Sequence, residues 1–403
     1  MAVPPGSCPA RRAIALARAG RDLDAAVGEA ERALADPACR HRPGCVFDAL
    51  STLVLAGELA AADRAAARLG HHDDADTAAP DEAAPDERLP DEKLQDHGTL
   101  IRARTARWRG DLDTAWELYD QLHRRPGSAE LHPVLMAETA ELLLCRGRPV
   151  EANALLAEAG DGGNTPELRC ARGLVAMDAG DFRAGLAEHL AAGRQFTVSG
   201  VANPAVSPWR RRAAWCAHAC GNLELAADLA REDHEAALAW GEPRVVGETL
   251  AGLALLAGDG PELDLLCEAA ELLEAGAAAI EAGEARYELG RRLLEAGRPA
   301  HARVQFTRAA TGFRGAGNRH RTARVAEALR GCDPRPGPAL TPIELKVAFL
   351  ALANYRNQDI AAKQFLAVRT VEFHLSQVYR KLGIRGRDEL QFPLLAPENL
   401  PAG

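Results

Sequence analysis

Gly110-Asp111-Leu112-Asp113-Thr114-Ala115-Trp116-Glu117-Leu118-Tyr119-Asp120-Gln121-Leu122 opens on a glycine, takes a short polar step and becomes an amphipathic helix. Leu112, Ala115, Trp116, Tyr119 and Leu122 fall at i, i+3, i+4, i+7 and i+10, one face of a 3.6-residue period. The theme returns at Gly147-Arg148-Pro149-Val150-Glu151-Ala152, Gly221-Asn222-Leu223-Glu224-Leu225-Ala226 and Gly297-Arg298-Pro299-Ala300-His301-Ala302. Stretches beginning at Gly20, Gly57, Gly180 and Gly258 repeat it. Successive glycines lie 37, 53, 37, 33, 41, 37 and 39 residues apart. That period suits stacked helical hairpins, none of which buries its apolar face alone. Ala302, Phe306, Ala309, Ala310 and Phe313 form a second such stripe, with small residues that let helices approach closely.

Composition agrees. Ala and Leu, strong helix formers, dominate, while aromatics make up 4% and β-branched runs are nearly absent. The expected fold is all-α. The units resemble tetratricopeptide-type repeats in period and in the Gly-x-x-x-x-Ala step, which implies a helical solenoid over residues 1–332. Within it, His71 to Asp96 holds ten acidic residues, and Pro80, Pro85 and Pro90 each precede an Asp-Glu pair. Helix does not survive that proline spacing, so a disordered acidic insertion is expected over about 71–97. Asp333-Pro334-Arg335-Pro336-Gly337-Pro338 ends the repeats in a linker over 333–339.

A net charge of −9 argues against a protein that coats nucleic acid. The charge is uneven: residues 340–403 carry eight Lys/Arg against six Asp/Glu, +2, leaving −11 for the rest. Three of the four lysines (Lys346, Lys363 and Lys381, but not Lys93) lie in this basic end. Nine cysteines show no compact disulfide framework, residues 1–12 hold three prolines and no apolar run, and no stretch reaches the length of a membrane span. A reducing cytoplasm is the expected compartment, with no membrane contact.

From Leu340 the local signals become dense. Thr341-Pro342-Ile343-Glu344 is a capping box with proline at the first helical position. Ile343, Val347, Leu350 and Ala351 make the apolar face of this helix, and Asn354 ends it in the left-handed conformation. Asn357 reads as the next N-cap, with Ile360, Ala361 and Phe365 buried. After a tight turn, Val371, Leu375, Val378 and Leu382 line the inner side of a third helix closed by Gly383. Two short helices and a tight turn make a helix-turn-helix, whose second helix enters the major groove. Glu372, Phe373, Ser376 and Gln377 then face outward, with side chains suited to base edges and thymine methyls. Arg369, Thr370, Arg380, Lys381, Arg385 and Arg387 bracket them and suit phosphates.

The run Leu340-Thr341-Pro342, Asn357-Gln358-Asp359-Ile360-Ala361, Val368-Arg369-Thr370-Val371-Glu372-Phe373-His374-Leu375 and Tyr379-Arg380-Lys381-Leu382-Gly383-Ile384-Arg385 resembles the LuxR-type helix-turn-helix. The resemblance implies a DNA-binding domain over 340–396, base contacts by Glu372, Phe373 and Ser376, and phosphate contacts by flanking Thr and basic residues. Gln364 replaces a usual core leucine, Ala367 a usual serine, and Pro393 interrupts the fourth helix through which the family often dimerises. With repeats upstream, the chain resembles the C-terminal half of large MalT-like regulators. Their ATPase signature, Gly-x-x-x-x-Gly-Lys-Ser/Thr, is not found, because no lysine follows a glycine.

Other clusters read as structural. Cys216 and Cys220 share a helical face from which His218 points away. Cys39, Cys45 and His41 sit in a Pro/Gly loop where zinc is the alternative to plain thiols. Trp108, Trp116, Trp209, Trp215 and Trp240 read as core rather than ligand anchors. No catalytic constellation, metal or cofactor is expected. The expected function is a bacterial transcription regulator with double-stranded promoter DNA, a second copy of itself and RNA polymerase as partners, its repeats receiving a ligand or protein. The rival is a repeat scaffold whose helix-turn-helix serves protein docking.

Overall fold

The computed structural model describes residues 8–69, 88–125, 131–159, 164–256, 262–332 and 340–391. Among them are twenty α-helices, a 3-10 turn at Arg387–Glu389 and no strand. Sixteen pair as hairpins: α1 (Pro9–Ala19) with α2 (Leu23–Ala35), α3 (Pro43–Leu55) with α4 (Leu59–Arg68), α5 (Arg88–Trp108) with α6 (Leu112–His123), and α7 (His132–Cys145) with α8 (Pro149–Glu158). Next come α9 (Pro166–Asp178) with α10 (Phe182–Val198), α11 (Trp209–Ala219) with α12 (Leu223–Trp240), α13 (Pro243–Leu256) with α14 (Glu262–Ala275), and α15 (Ala279–Glu295) with α16 (Pro299–Gly315). A single α17 (Arg319–Gly331) follows, then α18 (Pro342–Leu352), α19 (Asn357–Gln364) and α20 (Val368–Leu382).

The chain forms two compact units, residues 1–281 with 315–318, and residues 282–314 with 319–403. The helices 282–314 and 319–331, which belong to the repeat series by sequence, therefore fold with the C-terminal module.

In the first unit the hairpin turns follow the glycine pattern. Gly20, Gly57, Gly110, Gly147, Gly180 and Gly221 all have positive φ, as does Gly297 in the second unit. Gly258 lies outside the described residues. At Gly110 (φ 83°) a side chain would be strained and would also meet the Ala316 methyl at 3.0 Å. The polar step caps the second helix: Asp22, Asp111, Asp181 and Asn222 each accept a hydrogen bond from the backbone N–H three residues on. Pro149 and Pro299 instead supply the preset φ of a first helical position. Inside helices, Gly193 lets the Trp209 ring lie where a Cβ would be only 2.5 Å away.

One expectation fails here. Helix α5 begins at Arg88, within the stretch expected to be an acidic loop. Pro90 falls in its first turn, where the missing N–H has no helical partner to lose. The remainder of the insertion, the 333–339 linker and Pro393 lie outside the described residues.

The first unit also makes contacts that sequence period does not foretell. Asn203 Nδ2 donates to Ala17 O at 2.7 Å, and the N–H groups of Ala202 and Asn203 both donate to Arg18 O. Trp240 Nε1 donates to Leu55 O at 3.0 Å, and Asn318 Nδ2 to Cys145 O at 3.1 Å. Each pair joins the end of a hairpin's first helix to a connection or helix end four to five hairpins later. The solenoid of this unit thus comes round upon itself, satisfying helix C-terminal carbonyls as it does.

A charged ladder runs through the same unit. Glu138 takes Arg104 (2.7 Å) and the Tyr119 hydroxyl (2.9 Å). Glu141 takes Arg107 and Arg212, both at 2.9 Å, and Glu248 takes Arg211 (2.5 Å) and Arg244 (3.5 Å). Arg244 lies 3.4 Å over the Trp108 ring. Burial pushes the Glu141 pKa up, but the Arg212 and Arg107 charges outweigh it and hold the group at about 2.

Candidate DNA-binding surface

The second unit builds its C-terminal site on a small trihelical core. Thr341 and Glu344 cap α18 reciprocally: Glu344 N donates to Thr341 Oγ1 (3.3 Å) and Thr341 N to Glu344 Oε2 (2.6 Å). Val347, Ala348 and Ala351 from α18, Ile360 and Ala361 from α19, and Val371, Leu375, Val378 and Leu382 from α20 are buried together. Each large apolar side chain so buried contributes about 1.5–3 kcal/mol. Ala300 and Val304 of α16 pack on this core, and Gly383 closes α20 beside Pro299. Asn354 (φ 61°) and Gly383 (φ 66°) adopt the left-handed conformation expected of them.

Two expectations in the first half of the motif are corrected. Asn357 is the first helical residue of α19 and not its cap; Arg356 holds the cap position without a side-chain bond, and Asn357 Oδ1 accepts from Arg387 instead. Phe365 is not buried. It carries the left-handed turn (φ 54°), which rotates its side chain off the helical face and leaves it 96% exposed. Ala367 occupies the cap of α20 in extended backbone but has no hydroxyl to offer.

Burial of the Val371–Leu382 stripe forces the other side of α20 outward. Glu372, Phe373 and Ser376 are exposed and Gln377 half-buried; the Phe373 ring is 60% exposed. These four expected base-reading residues thus share one open face. Ser376 Oγ donates to Glu372 O (2.9 Å) and Arg380 Nη2 to Gln377 Oε1 (2.6 Å), bonds made along the helix that leave the outward side clear. Arg369 and Arg385 are exposed, as is Arg380, and Thr370 is half-buried in the first turn of α20.

The remaining two basic residues are turned inward. Lys381 Nζ meets Glu344 Oε2 at 2.6 Å, with side chains only 10% and 7% exposed. Burial would raise the Glu344 pKa, but the bonds from Lys381 and Thr341 outweigh it and hold the carboxyl below its usual range. Arg387 donates to Ala351 O (2.9 Å) and to Tyr355 O, tying the end of α18 to the turn that follows it. Neither role was legible, since a basic residue beside a recognition helix reads as a phosphate contact. The glutamate of the capping box was the available signal for Lys381.

The candidate clusters outside this module divide. Cys216 is buried and Cys220 exposed, each free. Trp240 is buried, while Trp215 is 39% exposed. Cys39 and Cys45 are joined by a residue not considered with them, Cys8.

Residues 338–391 match the model of the family described as bacterial regulatory proteins, luxR family. The chain is 33% identical over 211 residues to proteins of Mycobacterium bovis and Mycobacterium tuberculosis, each named "Putative HTH-type transcriptional regulator". The match covers 49% of this chain and 23% of the relatives, so the chain spans about a quarter of their length. A solved signal transduction ATPase with a tetratricopeptide repeat sensor, from Pyrococcus horikoshii, is similar at a TM-score of 0.43 and 14% identity, over 81% of this chain and 52% of that one. Residues 338–391 are a helix-turn-helix domain of the LuxR family of bacterial regulatory proteins.

Proposed function

We propose that the chain regulates transcription by laying α20 in the major groove of promoter DNA and does no chemistry of its own. The open face of α20 is the observation that carries this reading: a buried apolar stripe fixes the opposite side outward, where Glu372, Phe373 and Ser376 are exposed. Glu372 accepts from cytosine N4, Phe373 packs on thymine methyls, and Ser376 and Gln377 read neighbouring edges. Arg369, Thr370, Arg380 and Arg385 hold the backbone on either side. The domain acts as a dimer on two half-sites, within reach of RNA polymerase in the cytoplasm. The repeats receive the signal, a small ligand or a protein.

Gel shifts with a promoter fragment test the groove assignment. Arg380→Ala should weaken binding to every sequence and reduce the salt slope by about one. Glu372→Ala and Ser376→Ala should change sequence preference, by about 1–3 kcal/mol per affected base pair. If all three variants bind as the parent does, α20 is not the reading helix.

A further inference from the structure

Three thiols converge at one edge of the first two hairpins. Cys8 precedes α1, Cys39 stands in the turn between α2 and α3, and Cys45 lies in the first turn of α3. Their sulfur atoms all lie within 4.8 Å of one another, and Cys8 Sγ and Cys45 Sγ are 3.8 Å apart. A disulfide needs about 2.0 Å. Sulfurs held tetrahedrally at about 2.3 Å from one zinc ion are about 3.8 Å apart. The Cys8–Cys45 separation matches that of two ligands sharing an ion, and the third sulfur lies close enough to join them.

The surroundings keep the tripod in place. The turn is tightened by Cys39 N donating to Asp36 O and Arg42 N to Cys39 O, both at 3.0 Å, and Cys39 is 2% exposed. Cys8 and Cys45 pack against the core that contains Ala10, Ala33, Val46 and Leu50. Arg12 follows Cys8 by one turn of α1 and is paired with Glu29 at 2.9 Å. His41, the nearby imidazole, is exposed, accepts from Arg40 through Nε2 (2.9 Å) and does not join the three sulfurs.

We propose that Cys8, Cys39 and Cys45 form a three-thiolate site for a zinc-class divalent cation. Each sulfur exchanges its proton for a bond to the ion, so three protons leave and the occupied site carries one negative charge. Among the described residues no fourth ligand joins the three sulfurs, and the fourth position of the tetrahedron goes to water or a small exogenous donor. Soft thiolate ligands select zinc over magnesium or calcium. Occupation staples the start of α1 to the α2–α3 turn, adding to the apolar packing and the Arg12–Glu29 pair.

The test uses the full chain, stripped with chelator under anaerobic reducing conditions and titrated with Co2+, then Zn2+. The expected result is one equivalent of Co2+ with a thiolate-to-cobalt charge-transfer absorption, bleached by Zn2+. Cys8→Ser should lower Zn2+ affinity by at least about 100-fold, the upper end of what losing a mere supporting partner of a ligand costs. Cys39→Ser should do the same; if its circular dichroism shows misfolding, Cys8→Ser, at a helix end, stands alone. Cys267→Ser should leave the stoichiometry at one. No charge-transfer band, equal affinity in Cys8→Ser, or a Cys8–Cys45 disulfide in the peptide map with no bound metal overturns the proposal.

Discussion

Lys381 shows how one residue's neighbourhood changes its meaning. By position it brackets the recognition helix, yet its ammonium is spent on a buried carboxylate that also caps α18. Lys381→Ala should cost about 2 kcal/mol of stability in urea denaturation, because it leaves Glu344 buried with a lost charged partner. Arg380→Ala, on the open side, should cost almost nothing there and act only on DNA. His189 in the repeat unit gives a pH counterpart. Its ring is fully buried, and burial, with a lesser push from Arg212, lowers its pKa to about 3. Between pH 6.5 and 3 the unfolded chain therefore binds more protons than the folded one, and stability falls as pH falls. From pH 7 to pH 5 the loss from this ring is about 2 kcal/mol. His189→Leu should show that much less dependence on pH across the same interval by urea denaturation.

At the scale of the element, α20 was readable because every signal in it is local. Its apolar residues recur at helical spacing, Gly383 stops it, and burial of one face decides the other. The α18 cap was equally plain, since both partners lie within four residues. The α19 turn was not. Extending the period through Phe365 assumed a helix where the backbone has already gone left-handed. Ala367→Ser should supply the missing hydroxyl at the α20 cap and stabilise the module by about 1 kcal/mol, readable as a rise in melting temperature. Pro90 misled for a similar reason: proline spacing forbids a helix interior but not a helix start. The hairpin glycines were legible because a positive φ leaves a residue type behind. Cys8 was not, because the turn that meets it is 31 residues away and nothing in periodicity links them.

At the scale of the molecule, each unit departs from the picture of repeats in a row followed by a separate reader. In the second unit the core of the helix-turn-helix continues into Ala300 and Val304 of the last hairpin, so the reader and those helices are one folded body. In the first, Asn203 bonds a residue 186 positions before it. Asn203→Ala should remove that bond, leave the Ala17 carbonyl buried without it and cost about 1–3 kcal/mol by thermal or urea unfolding. An open stack of repeats divides its stability among neighbours and can melt from either end. A stack whose hairpins also bond partners four to five places further on holds its first hairpin against a later one. Its first hairpin should give up its slowest amide protons together with those of α12, in a single event, because neither can loosen without letting go of the other.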